Sequence, residues 1–192
     1  MSDTSLVELL RLTSAPVAIA FVDAAPPGVP HVSAVEPAGC GYWRRAGAGE
    51  VFFTFADDHK RCPVGAHTHN VTLSPAEKQE LMALVQMMVG LSYLEMEDVP
   101  QIPTRNAPLQ VAIYAPLAAA PVPPDVVLVR GNARQVMRLA EPAQAAGAAG
   151  TGATVIPSLQ LGAVEEKRAV IVRANQEMEK FHRGRAAATP TA

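Results

Sequence analysis

Four short apolar runs, PVAIAFV at 16–22, VFFTF at 51–55, LQVAIY at 109–114 and VVLV at 126–129, are set far apart along a chain punctuated by 17 prolines. Runs of this length, rich in β-branched and aromatic residues and bounded by turn formers, read as strands rather than helices, so the chain must build a sheet from distant segments. The first run is continuous enough to be covered on both faces and is broken by the Pro26, Pro27, Gly28 and Pro30 cluster. The connector PLAAAPVPPD between the third and fourth runs is too short for a helical crossover and reads as an extended link.

Helices are marked by their caps. SPAE at 74–77 supplies an N-cap serine, a proline at the first helical position and a glutamate three residues past the cap. Behind it Leu81, Leu84, Val85, Met88, Val89 and Leu91 recur at helical spacing, which predicts a buried face. Met82, Met87, Met88 and Met96 read as gap fillers in that packing. Ser5 and Glu8 form a second capping box, opening a short helix that ends before Pro16. Gly131 and Asn132 open a third helix, NARQVMRLAEPAQAA, which Pro142 ends or kinks. Beyond it the residues predict a loop at 143–153, strands at 154–159 and 169–172, a short helix at 175–182 and a disordered tail at 184–192. The order of elements predicts an α+β (mixed α/β) fold, a single domain over 1–183 with one central mixed sheet flanked by about three helices.

At 192 residues and 49% hydrophobic content the chain can bury one substantial core. A net charge of −2 and a pI near 6.2, with basic residues dispersed except for Arg44 and Arg45, leave no footprint for nucleic acid. No stretch approaches the roughly 20 apolar residues that span a bilayer, and Asp3 and Glu8 do not suit a secretory leader. The expectation is therefore a cytoplasmic protein with neither nucleic-acid nor membrane partners. An exposed sheet edge or helix face permits a homo-oligomer, and no residue decides it.

Chemistry concentrates between residues 40 and 69. Both cysteines, Cys40 and Cys62, fall there with three of the five histidines, His59, His67 and His69. Thiolates and imidazoles are the donors that soft and borderline metals prefer, and a cysteine beside histidines is also the makeup of an activated thiol. The segment is expected as a loop leaving the 51–55 strand, in which CPVG forms a turn that points backbone N–H groups at the Cys62 sulfur. Cys40, between Gly39 and Gly41, is expected in a second turn. In a reducing cytosol such cysteines serve as ligands, thiols or a redox pair more readily than as a staple.

Three functions compete on these residues. The leading one is binding of a transition metal, iron–sulfur or haem cofactor by Cys40, Cys62, His67, His59 and His69, used for redox chemistry; a cysteine followed by proline, as at Cys62–Pro63, is also a thiolate arrangement suited to haem. The second is a regulatory module binding a small-molecule ligand in a pocket, with structural cysteines. The third is a metal-free thiol enzyme with Cys62 as nucleophile and His59 or His67 as base. In each, Arg44 and Arg45 can grip an anionic substrate on which Trp43 stacks. The alternative for these three is packing at a core edge with solvated guanidinium groups.

The runs APVAIAF, GCGYWRRAGAGEVFFTFADDHKRCPVGAH and APLAAAPVPPDVVLVRGNARQVMRL resemble the DUF169 family, a set of prokaryotic proteins of unassigned function. The resemblance covers most of the chain and implies one compact cytoplasmic domain. It also implies a further cysteine near the C-terminal strands, in a segment ending in an arginine. The matching segment here, PSLQLGAVEEKR with Arg168 at its end, supplies none, so histidine, water or substrate would have to complete a ligand set built on Cys40 and Cys62.

Overall fold

The computed structural model describes residues 3–33, 40–60, 62–92, 95–97, 104–132, 134–139, 176–177 and 180, without the side chains of 3–5, 40, 63 and 64. Two compact units divide the chain. The first joins Met1–His31, Tyr42–Phe53 and Ala112–Ser158; the second joins Val32–Gly41, Thr54–Val111 and Leu159–Ala192.

In chain order the elements are α1 (Asp3–Leu10), β1 (Val17–Val22), α2 (Cys40–Gly47), β2 (Phe52–Phe55), α3 (Pro63–Thr68), α4 (Pro75–Gly90), β3 (Val111–Pro116), β4 (Val126–Leu128) and α5 (134–139), with 3-10 turns at Ala56–His59 and Leu117–Ala119. This is the mixed α+β fold that the alternation of apolar runs and capped helices predicts. The strands form one sheet in the order β2-β3-β1-β4, and β1 and β4 are antiparallel with Val17 opposite Leu128 and Ile19 opposite Val126.

Position in the sheet explains composition. The interior strand β3 buries every residue from Val111 to Ala115, and its neighbour β1 buries Val17, Ala18 and Ala20, as continuous apolar runs must when both faces are covered. Edge strand β4 instead exposes Val126 and Val127. β2 alternates, with Phe52 and Thr54 inward and Phe55 outward. The first unit's core is aromatic: Tyr42, Phe52 and Tyr114 meet at centroid distances of 5.4–6.0 Å, one pair stacked and two tilted, a packing that adds to the burial of their large surfaces. Asp125 ties the edge down, since its carboxylate accepts the Phe21 N–H at 2.6 Å and its own N–H donates to the Ile19 carbonyl.

The sequence reading is corrected in three places. α1 begins at Asp3, so Ser5 lies inside the helix and does not cap it; Asp3 and Thr4 offer no glycine or proline to stop the turn. Cys40 opens α2 instead of occupying a turn. Tyr42 and Ala46, four residues apart, are both wholly buried, and that single apolar stripe favours a helix in spite of Gly41. The segment after β2 is largely helical rather than a loop, because Pro63 occupies the first turn of α3, where its fixed φ suits a helix and its missing N–H has no intrahelical partner to lose.

Elsewhere the caps act as read. Ser74 Oγ accepts the Glu77 N–H and Glu77 Oε2 accepts the Ser74 N–H, which is the reciprocal box that starts α4. Leu84 and Met88 are the buried residues of that helix, whereas Met82 and Met96 are exposed. Asn132 and Gln135 form the same kind of box at α5. Pro142, the 143–153 loop, the strands at 154–159 and 169–172 and the 184–192 tail lie outside the described residues; of the 175–182 helix, 176, 177 and 180 are described and are helical.

Candidate functional site

The site grows out of the inward face of β2. Thr54 is fully buried there, and a polar side chain so placed needs a partner. The partner comes from the 3-10 turn that follows. Asp58 accepts the Phe55 N–H at 2.7 Å and tightens the turn, which brings His59 back so that its Nε2 lies 2.8 Å from Thr54 Oγ1. His59 is likewise fully buried.

Cys62 follows, its N–H donating to the His59 carbonyl at 3.0 Å. It is the N-cap of α3: Sγ accepts the Gly65 N–H at 3.2 Å, and its carbonyl accepts the Ala66 N–H. A thiol replaces the usual hydroxyl or carboxylate cap and satisfies one of the amides left over at a helix start. Gly65 is pressed close. A Cβ there would lie 3.2 Å from Cys62 Cβ, 3.3 Å from Sγ and 3.7 Å from His59 Nδ1, so the thiol and the second imidazole nitrogen border one small space that glycine leaves open.

His69 closes the far end of α3. Its Nδ1 is 2.8 Å from the Gly65 carbonyl and 3.1 Å from Thr68 Oγ1. A carbonyl only accepts, so in the neutral ring the proton is on Nδ1 and the lone pair on Nε2. The ring stacks on His59 with centroids 4.5 Å apart. Two imidazolium ions could not share that position. Burial, with the neighbouring His69 charge second, pushes the His59 pKa down to about 3. Burial also lowers that of His69, against the pull of its hydrogen bond to Gly65 and with a smaller push from Arg105. Both rings are neutral at neutral pH.

His67 is apart from this pair, with Nε2 3.0 Å from Thr104 Oγ1. The Arg105 N–H bonds the Thr68 carbonyl and the Leu109 N–H bonds the His69 carbonyl, so the segment leading into β3 fixes the helix end. Cys40 heads α2, its side chain outside the described set. Among the described residues no three histidine, cysteine or acidic side chains are grouped so as to hold a metal ion.

Trp43, Arg44 and Arg45 belong to the first unit, not to the second with Cys62. Arg45 bonds Glu50 and lies 5.5 Å over the Phe52 ring, the Arg130 guanidinium lies 4.9 Å over Trp43, and Arg44 is exposed. The turn read in CPVG does aim a backbone N–H at the Cys62 sulfur, that of Gly65; sequence reasoning missed Thr54. Thr54 carried a signal, being the one polar residue on the inward register of VFFTF.

A mixed α+β fold whose thiol and neutral imidazoles are gathered on one short helix and the turn before it defines a class without naming a reaction. The chain belongs to the DUF169 family, described as uncharacterised ArCR, which matches residues 5–157. No curated protein and no solved structure matches the chain significantly. Among the described residues no helix is long and apolar enough to cross a membrane.

Proposed function

We propose that the segment from His59 to His69 binds a transition metal or a cofactor containing one, with Cys62 as the anchoring ligand and His59 beside it. The observation that supports this reading is the small space next to Gly65, bordered by Cys62 Sγ and His59 Nδ1. Metals bind imidazole in its neutral form, and a ring with a pKa of about 3 has no proton to give up before ligating. Two cysteines cannot supply the four thiolates of an iron–sulfur cluster within one chain, so a single ion with mixed sulfur and nitrogen donors fits better. Cys40 is the further ligand the reading calls on. A cytoplasmic setting, where thiols stay reduced, accords with it.

A metal-free thiol enzyme is served less well. Of its two candidate bases, His67 is engaged with Thr104 apart from the pair of stacked rings, and His59, with a pKa of about 3, takes up a thiol proton only weakly.

The test is anaerobic purification without a histidine tag or chelator, elemental analysis, and titration of the metal-free protein with Co(II). One metal per chain and a sulfur-to-cobalt charge-transfer band are expected, with both lost in Cys62→Ala and the spectrum altered in His59→Gln. A protein that retains no metal and shows no thiolate band, or one whose binding is untouched by Cys62→Ala, would overturn the proposal.

A further inference from the structure

Away from the cysteines, the first unit carries a groove of about 430 Å³ lined by Leu9, Leu10 and Arg11 at the end of α1 and by Asn132, Arg134, Gln135 and Arg138 at the start of α5. Its size is that of a small-molecule site. Three of the lining residues are arginines and, among the described residues, none is acidic. Arg134 and Arg138 are four residues apart and therefore share one face of α5, opposite Arg11.

The walls are held in register by one side chain. Gln135 Oε1 accepts the Asn132 N–H at 2.7 Å, and its Nε2 donates to the carbonyls of Leu10 and Arg11, each at 2.8 Å. The same glutamine thus caps α5 and binds the carbonyls that α1 leaves over at its end. Arg11 takes a left-handed backbone, φ 51°, and the Leu12 N–H reaches back to the Val7 carbonyl. Glycine is the usual residue at that position of a helix end, and a side chain there costs about 1 kcal/mol. The chain carries an arginine in a place where backbone energy alone would select glycine.

We propose that this groove binds a small phosphorylated organic anion, with the phosphate among Arg11, Arg134 and Arg138 and the organic part against Leu9 and Leu10. Guanidinium groups offer planar paired donors that match phosphate oxygens, and they remain charged at every physiological pH. Leu9, 66% exposed at the rim, supplies apolar surface for the remainder of the ligand. The site is independent of the metal reading.

Isothermal titration calorimetry of the whole chain with inorganic pyrophosphate, and separately with inorganic phosphate, tests it. Saturable one-to-one binding of pyrophosphate at low ionic strength is expected. It should weaken by about tenfold or more in Arg134→Ala/Arg138→Ala and in Arg11→Gly. Arg11→Gly should hold or raise the thermal midpoint, because glycine adopts the left-handed conformation freely, so lost binding there cannot be lost folding. Lys78→Ala, an exposed cation elsewhere, should bind as the parent does. The proposal is overturned by undiminished binding in the arginine variants, by an equal loss in Lys78→Ala, or by an absence of saturable pyrophosphate binding. Binding to vesicles of anionic lipid without binding to pyrophosphate would likewise overturn it in favour of a membrane surface.

Discussion

Replacing Gly65 by alanine sets two effects against each other. In a helix interior the change removes glycine's backbone entropy and is worth about 0.5–1 kcal/mol in favour of the variant. Opposing it, the new methyl would meet Cys62 Cβ at 3.2 Å and Sγ at 3.3 Å, both tighter than ordinary carbon contacts. The sulfur can rotate away, but rotation breaks its bond from the Gly65 N–H, worth about 0.5–1.5 kcal/mol. Cys62 Cβ is fixed to the backbone and cannot rotate, so the first turn of α3 must shift, at about 1 kcal/mol or more. The opposing terms win, and the variant should be destabilised by about 1 kcal/mol, read as a lower urea midpoint at unchanged slope. Because the displaced sulfur and His59 Nδ1 no longer border an open space, Co(II) affinity should fall by about tenfold or more. A variant that gains the full helix-propensity increment and keeps the parent cobalt spectrum would refute the close approach on which the site is built.

Thr54→Val keeps the shape of a buried side chain and removes the hydroxyl facing His59 Nε2, so urea denaturation should show a loss of about 1–3 kcal/mol; a loss below about 0.5 kcal/mol would mean that the pair contributes little. Stability should also depend on pH through His59. Its pKa is depressed from 6.5 to about 3 in the folded protein, so the unfolded chain takes up a proton between those values and the folded one does not. Stability is then complete above about pH 6.5 and falls by about 1.4 kcal/mol for each unit of acidification towards pH 3. His69, shifted in the same direction, steepens the fall. Unfolding free energies from urea titrations between about pH 7 and 5 should decline by about 2 kcal/mol on account of His59, and the decline should flatten in His59→Gln; an unchanged slope in that variant would show that another group carries the dependence.

Local signals were legible where one stretch of chain decides the outcome. SPAE spells a cap, a proline and a reciprocal glutamate, and all three act in α4; Asn132 starts α5 in the same manner. The four apolar runs became the four strands. What the residues could not show is who meets whom. Cys62–Pro63 reads as a turn that aims an N–H at the sulfur, and the packed structure shows in addition that this turn is the N-terminus of a helix, with Cys62 as its cap. His59 and His69 are ten residues apart in sequence, yet their rings stack because α3 turns the chain back between them. Ser5 fits a capping motif, but caps require an interruption upstream and the preceding residues provide none. Arg11, Arg134 and Arg138 meet across more than half the chain, a coincidence that no window of sequence contains.

The strand order β2-β3-β1-β4 has a bearing on how the protein is made. β3 and β4 follow one another in the chain yet flank β1, and Val17 waits for Leu128. Among the described strands no neighbouring pair is joined by a tight hairpin, and closure of the sheet spans on the order of a hundred residues, the kind of topology that folds slowly. During synthesis β1 leaves the ribosome before both of its sheet neighbours and stays without them until on the order of a hundred further residues have been translated. Until then the segment VAIAFV is an unpaired apolar stretch, and exposed apolar segments of this kind are the ones that pair with another chain.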